Sequence, residues 1–382
     1  MIEDFDFIVV GAGMAGASVA AELAAGHRVV LLEQEERPGY HTTGRSAALH
    51  SEIYGNAVIR ALTRASRSFL LSADGGDSAF ATPRGCLHIA SAEQIARLEV
   101  FASVPDVQNA TSWLSAHQAR ELNPLLRADY VCAAVSEHNA YDVDVDALHQ
   151  FFLRALKVAG GELICSQALA GLERSAGKWT VAAGTRRLAA PVLVNAAGAW
   201  GDVVADLAGV APIDLQAKRR TALLVDAPDG APVAHLPAVI DIDEQFYFKP
   251  DAGKILMSPA DETPSIPCDA YPDDFDVALA VERVQAAADI PVTRAPRSWA
   301  GLRTFAPDRA PVVGYDDAVP GFFWLVGQGG YGIQTAPALA RVAAALALDR
   351  PVPSDIIDEG LDVHALALLR LRARAIETSS PA

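Results

Sequence analysis

The chain has 382 residues, 51% of them hydrophobic and 20% charged, and a formal net charge of −16. That much apolar mass buries one large core or two ordinary ones and excludes a disordered chain. The acidic balance, with no basic stripe to offset it, excludes nucleic acid and anionic membrane surfaces as expected partners. Met1-Ile2-Glu3-Asp4 leads straight into a strand without a secretory n-region, and no stretch reaches the roughly 18 uncharged apolar residues of a membrane span. A cytoplasmic monomer is expected. Cys86, Cys132, Cys165 and Cys268 are scattered, so reduced structural thiols are expected and no metal site.

The first element is an apolar run, Phe7 to Val10, ending in Gly11-Ala12-Gly13-Met14-Ala15-Gly16. An Ala-rich helical pattern comes next, then a second apolar run, Val29 to Leu32, closed by Glu33. Strand, glycine turn, helix, strand and acid in this register form a dinucleotide-binding fingerprint. Gly11 makes the turn, Gly13 admits backbone to a pyrophosphate, and Gly16 lets helix and strand pack closely. The helix start presents unpaired N–H groups and the positive end of its dipole to the phosphates, and Glu33 suits the ribose hydroxyls. The fingerprint alone does not choose between NAD and FAD.

The residues after Glu33 lean toward FAD. Gln34-Glu35-Glu36-Arg37-Pro38-Gly39 and then Thr42-Thr43-Gly44-Arg45-Ser46-Ala47-Ala48 form a loop of small residues. A chain that spends its first 48 residues in this way resembles the flavoprotein amine oxidoreductases of the D-amino-acid oxidase superfamily. The resemblance implies that Met14, Ala15, Gln34 and Thr43 to Ala48 lie along the cofactor, with the loop beside the ribityl chain and ring. Beyond it, His50 and Tyr54 are candidates to reach a substrate, and Glu52 is a third; all three also suit a solvent-facing loop. The family places a tyrosine like Tyr54 over the substrate.

Ala57 to Leu71 reads as a helix and Ser72 to Ser78 as a polar connection. Gly85 to Ala90 reads as a strand and Ala92 to Ser103 as a helix, Trp113 to Leu125 resembles the family's short helix ending in proline, and Val131 to Val135 reads as a strand. These do not continue the nucleotide-binding pattern, so they are assigned to a substrate domain. Asp142-Val143-Asp144-Val145-Asp146 opens a helix running to Ala159 and closed by Gly160-Gly161, with Asp144 or Asp146 as its N-cap. A carboxylate metal cluster is the sharper alternative for these acids. Strands at Glu162 to Cys165 and Val192 to Asn195 frame a meander, and Ala196-Ala197-Gly198-Ala199-Trp200 resembles the family's second cofactor segment. Ala168, Ala197, Gly198 and Trp200 are its implied contacts.

Lys218 to Val225 reads as a strand with a basic start. Phe246 to Pro250 and Lys254 to Ala260 read as a hairpin across Asp251-Ala252-Gly253. This resembles the family's substrate sheet over the flavin, with Tyr247 aimed at the substrate or, more plainly, an edge-strand aromatic. Arg220 is a second candidate unless the run is a solvated end. Trp299 to Asp308, Phe322 to Gly327, and Gln328-Gly329-Gly330-Tyr331-Gly332-Ile333-Gln334 repeat strand, glycine turn and helix. The resemblance implies that this second helix start faces the N1–C2=O end of a flavin, where its dipole would stabilise negative charge. Gly301 and Gly329 to Gln334 are implied cofactor contacts. Arg303 resembles the family's carboxylate-binding arginine, whose planar fork gives two parallel hydrogen bonds; a structural salt bridge is the alternative. Leu361 to Ile376 reads as a terminal helix with a disordered tail.

The expected fold is α/β, a discontinuous glutathione-reductase-like Rossmann FAD domain (1–82, 143–214, 300–382) with an antiparallel-sheet substrate domain (83–142, 215–299). The expected function is oxidation of a D-amino acid by hydride transfer from Cα to noncovalent FAD, with Arg303, Tyr247, Tyr54, Arg220 and His50 on the substrate. Electrons leave to a quinone, an artificial acceptor or oxygen. Alternatives are oxidation of glycine or sarcosine, a 2-hydroxy acid dehydrogenase with His50 as base, and a flavin-binding subunit without catalysis. The resemblance is nearest to bacterial D-arginine dehydrogenase and glycine-oxidase-like amine dehydrogenases. Cys86 departs from it: the strand carries no acid there for a cationic side chain.

Overall fold

A computed structural model describes residues 2–72, 79–230, 232–295 and 297–372. Its first layer is a six-stranded sheet in the order Glu162–Ile164, Val29–Leu32, Phe7–Val10, Val192–Asn195, Phe322–Val326, Val312–Tyr315. The first five run parallel and the last antiparallel. All four residues of Phe7–Val10 and of Val29–Leu32 are buried, as interior parallel strands require when both faces are covered. Helices Met14–Ala24, Ala57–Leu71, Val145–Val158 and Gly332–Ala347 cover one face. A four-stranded meander from Ile2–Asp4 and Leu172–Ala190 covers the other, around Trp179 and Trp324.

The second layer is a ten-stranded, largely antiparallel sheet, counted among the described residues. Gln216–Asp226 and Arg297–Phe305 pair along nine residues, and Tyr247–Asp251 pairs with Lys254–Ser258 as the expected hairpin. Cys86–Ala90 joins this sheet by a parallel pairing with Ala238–Asp241, which unites the two sequence-separated halves. Helix Asp274–Ala287 packs on the face remote from the cofactor layer, over Phe248, Leu223 and Met257.

Three expectations change. The boundary at residue 300 cuts Arg297–Phe305, whose whole length is hydrogen-bonded to Gln216–Asp226, so the strand carrying Arg303 belongs to the substrate sheet. Trp113 and Leu114 sit in an edge strand, Thr111–Ser115, because Ala133–Glu137 supplies its ladder; the helix starts at Ala116, where Ser115 and Gln118 form a capping box. The connection at 73–78, the tail and the end of the Leu361–Ile376 helix lie outside the described residues, and its start is a 3₁₀ turn, Val363–Leu366. Asp144, not Asp146, caps Val145–Val158, accepting from the N–H of Ala147 at 2.9 Å.

Candidate active site

A cavity of about 270 Å³ opens at the carboxyl ends of the parallel strands, under the large sheet. Open α/β sheets bind ligands at that edge because helix starts and glycine turns converge there. Gly11, Gly13, Met14, Ala15, Glu33, Gln34, Thr43, Arg45, Ser46, Ala47, Ala168, Ala197, Gly198 and Trp200 line it, with Gly301, Gly329, Gly330, Gly332 and Ile333. Gly11 has φ +98°, and a Cβ there would stand 2.6 Å from the Ala196 carbonyl oxygen. Gly16 does not line the cavity; its Cβ would fall 1.8 Å from the Gly11 oxygen, so its part is close packing behind the turn.

Helix Met14–Ala24 starts at Gly13 with no side-chain cap, which leaves first-turn N–H groups for an anion. The N–H of Met14 donates to Thr43 Oγ1 at 2.9 Å and draws the loop around Thr43 against the helix start. Glu33 is held at the wall by the main chain: Oε2 accepts from the N–H of Ala12 at 2.8 Å and Oε1 from that of Glu35 at 3.1 Å. A carboxylate has about four lone-pair directions, so acceptor capacity is left for ribose hydroxyls. The cradle fits an adenine dinucleotide, with backbone where phosphates go and an acid where the ribose goes.

Gly44, Ala48, Tyr331 and Gln334 lie off this cavity, and Arg45 lines it with its guanidinium engaged elsewhere. Gly44 lies off the cavity and closes a turn through its N–H on the Gly39 oxygen at 2.8 Å. The Arg45 guanidinium donates to the carbonyls of Ala270 at 2.8 Å and Ala300 at 3.0 Å and pairs with Asp269, tying the loop to the large sheet. Tyr331 packs against Tyr54 instead, ring centroids 5.0 Å apart, and burial pushes its phenol up to about 12. The Gln334 amide holds Ser51, accepting from its N–H at 3.2 Å and donating to its carbonyl at 3.3 Å and to Thr63 Oγ1 at 2.8 Å. Sequence reasoning missed Gln167, which lines the cavity after an irregular turn that carries no periodic signal.

The cofactor cavity meets a second, of about 70 Å³, bounded by Ala48, Leu49, Ser51, Tyr54, Ala238, Ile240, Glu244 and Lys249. Arg220, Tyr247 and Arg303 line both, so they stand at the junction. Arg303 Nη1 donates to the Tyr54 hydroxyl at 3.4 Å, and no carboxylate pairs with the guanidinium among the described residues. Gly330 makes room for it: a Cβ there would stand 2.6 Å from Arg303 Cζ. Burial works against the charge, but the oxygens of Tyr54, Tyr247 and Tyr331 hold the guanidinium's pKa above its ordinary value.

The basic run beside it is spoken for. Lys218 pairs with Glu262 at 3.0 Å and Arg219 with Asp276 at 2.7 Å. Arg220 Nε donates to the Asp261 carbonyl at 2.7 Å, with Glu262 at 3.6 Å from its other end. Hydrogen bonds from Arg309 and Lys218 hold Glu262 down at about 2. His50 is a correction: it lines neither cavity, because its strand turns the ring inward. Its Nε2 lies 3.2 Å from the Thr63 carbonyl, Nδ1 has no partner among the described residues, and burial lowers its pKa to about 4. Glu52 is also buried, paired with Arg67 at 3.2 Å. Behind them Glu137, which the sequence did not single out, accepts from Ser51 Oγ and the N–H of Glu52, both at 2.7 Å; burial raises it to about 7.

Comparisons with known proteins agree with this architecture. The chain is 28% identical over 382 residues to the uncharacterized oxidoreductase YurR of Bacillus subtilis, covering 92% of this chain and 96% of that one. It is 24% identical to mitochondrial dimethylglycine dehydrogenase of Rattus norvegicus, over 92% of this chain but 44% of that longer protein. Among solved structures, L-proline dehydrogenase from P. horikoshii superposes with a TM-score of 0.81 at 20% identity, covering 98% and 99% of the two chains. Glycine oxidase from Geobacillus kaustophilus superposes with a TM-score of 0.79 at 20% identity, covering 96% and 98%. The family model for FAD dependent oxidoreductases, DAO, matches residues 6–346, and with the glycine cradle, Glu33 and the second glycine turn in place the chain belongs to that family and takes FAD as its cofactor.

Proposed function

We propose that the protein oxidises the Cα–N bond of a D-amino acid, with FAD held noncovalently. The observation that supports this best is Arg303: a cation at the junction of the two cavities with a phenol beside it and no acidic partner among the described residues. Such a group takes an anionic ligand, and a carboxylate matches its planar fork. FAD, when bound, supplies the hydride acceptor, and the oxidised imine is hydrolysed by water to a 2-oxo acid and ammonia.

The side chains orient and exclude. Arg303 and Tyr54 hold the carboxylate, Tyr247 bounds the substrate from the sheet, and Tyr331 packs edge-on against Tyr54 to keep it in place. An amine that arrives as its ammonium releases its proton to solvent before Cα–H becomes a good donor, so activity rises with pH through the bound amine's pKa. No protein base is required. A 2-hydroxy acid would need one, and His50, the candidate for it, is walled off from both cavities. Cys86, where the resemblance implies an acid for a cationic side chain, is a fully buried thiol outside both cavities, so no acid is offered at that position and D-arginine and D-lysine are poor substrates in this reading.

The test is anaerobic reduction of the purified flavoprotein by D- and L-amino acids, N-methyl amino acids and 2-hydroxy acids, followed by turnover with an artificial acceptor and separately with oxygen. Fastest reduction by a neutral or acidic D-amino acid supports the reading; fastest reduction by a hydroxy acid or an L-amino acid sinks it.

A further inference from the structure

The substrate-side cavity has a far end whose charges do not balance. Lys249 follows Tyr247 by two residues on one strand, so both side chains rise from the same face of the sheet. Its ammonium donates to Asp142 Oδ1 at 2.6 Å, and Arg84 donates through Nε to Oδ2 of the same carboxylate, also at 2.6 Å. One acid therefore serves two cations. The Lys249 side chain is 6% exposed and lines the cavity, whereas Asp142 and Arg84 stand outside the lining. An ammonium carries three donors, and Asp142 takes one of them.

Among the described residues no other acid pairs with Lys249 or Arg84. Across the sheet from Lys249 the row continues through Ala238 and Cys86 to Glu137, as the registers Ala238 with Cys86 and Cys86 with Glu137 show. That places Glu137 three strands away, roughly 14 Å at the usual strand spacing, with its carboxylate turned to Ser51 and Glu52. Glu244 lies before Tyr247, at the opposite end of the strand, in an exposed turn. Ala238, opposite Lys249 on the neighbouring strand, is small and lines the cavity, and Ile240 stands opposite Tyr247. A ligand carboxylate there would accept from the ammonium and neutralise the extra charge of the Lys249–Asp142–Arg84 group; a ligand cation would add to it.

We propose that Lys249 determines specificity by receiving an anionic substrate side chain, so that the preferred substrates are amino acids with a second carboxylate. The inference rests on the amino-acid reading above, with the first carboxylate on Arg303. Isosteric pairs isolate the charge: D-glutamate against D-glutamine, and D-aspartate against D-asparagine. In the holoenzyme, anaerobic flavin reduction should give D-glutamate or D-aspartate a kcat/KM at least tenfold above its amide. Lys249→Met leaves Asp142 with Arg84, one acid with one cation, and should bring that ratio to one or below. Lys249→Arg keeps the charge and should retain the preference, which serves if the Met variant fails to fold. Equal rates for acid and amide in the wild type, a preference that survives in Lys249→Met, or faster reduction by D-arginine would overturn the proposal. Reduction by D-glutamine or D-leucine alongside any of these leaves the amino-acid reading standing; failure of every amino acid of either hand removes both.

Discussion

The cradle for the dinucleotide and the cavity for the substrate are built by different means. The cradle begins in one stretch, Gly11 to Ala48, and works mainly through main chain: a glycine at positive φ, uncapped helix N–H groups, and an acid pinned by two N–H donors. The substrate-side cavity takes Tyr54, Arg220, Arg303 and the pair Tyr247 and Lys249 from four separate segments, and works through side chains. Main-chain geometry tolerates no substitution that changes backbone freedom or fills a contact. Side-chain chemistry can be altered one group at a time while the scaffold stays folded, so substitutions on the two sides should fail differently.

The largest effect is expected at Gly11. Gly11→Val would place a β-branched residue at φ +98° with its Cβ 2.6 Å from a carbonyl oxygen. Strain and overpacking together cost on the order of 3 kcal/mol or more. The variant should purify without flavin and with a lowered Tm; a full complement of FAD by absorbance would show that the turn is not the anchor. Arg303→Ala comes next. It should keep its flavin and lose about a hundredfold in kcat/KM, on the order of 3 kcal/mol, with Arg303→Lys between it and wild type. Near-normal reduction at low substrate would shift the carboxylate to Arg220.

Glu137 tests the join between the two regions, because it braces the loop from Ser51 to Tyr54. Its folded pKa of about 7 lies above the ordinary carboxylate value, so the folded state binds the proton more tightly than the unfolded chain. The resulting stability is present below about pH 4.5 and is lost as pH rises through about 7. The whole swing is on the order of 3 kcal/mol. Tm measured from pH 4.5 to 8 should therefore fall more steeply for wild type than for Glu137→Gln, and parallel curves would assign the slope to another group. Tyr54→Phe is the smallest change. It removes one long hydrogen bond to Arg303, 3.4 Å, and should raise KM a few-fold, about 1 kcal/mol, with little change in flavin reduction at saturation. A hundredfold loss would make Tyr54 a partner in the chemistry.

Much of this was legible in the chain because local signals carried it. Glycine spacing, a strand of four apolar residues and an acid at the next strand end announce the cradle, and Ala57–Leu71 and the hairpin at Tyr247–Asp251 fall where periodicity puts them. The substrate side was legible only in part. Arg303 and Tyr247 could be singled out by resemblance, but His50, an ordinary candidate from its place in the loop, proved to be a buried neutral ring. Gln334 looked like a cofactor contact and is a brace for Ser51. Lys249 carried no distinguishing signal beyond sharing a strand face with Tyr247.

What the sequence determined by itself is the cofactor cradle and the order of the elements, because turn geometry and hydrophobic period are properties of neighbouring residues. What only the tertiary structure decided is the charge of the substrate cavity. Whether a cation is free or spent depends on which acid the fold brings to it: Asp276 to Arg219, Glu262 to Lys218, Asp142 to both Lys249 and Arg84, and none, among the described residues, to Arg303. Those pairs join residues 44 to 107 positions apart, and at such separations nothing in the local sequence fixes which charges meet.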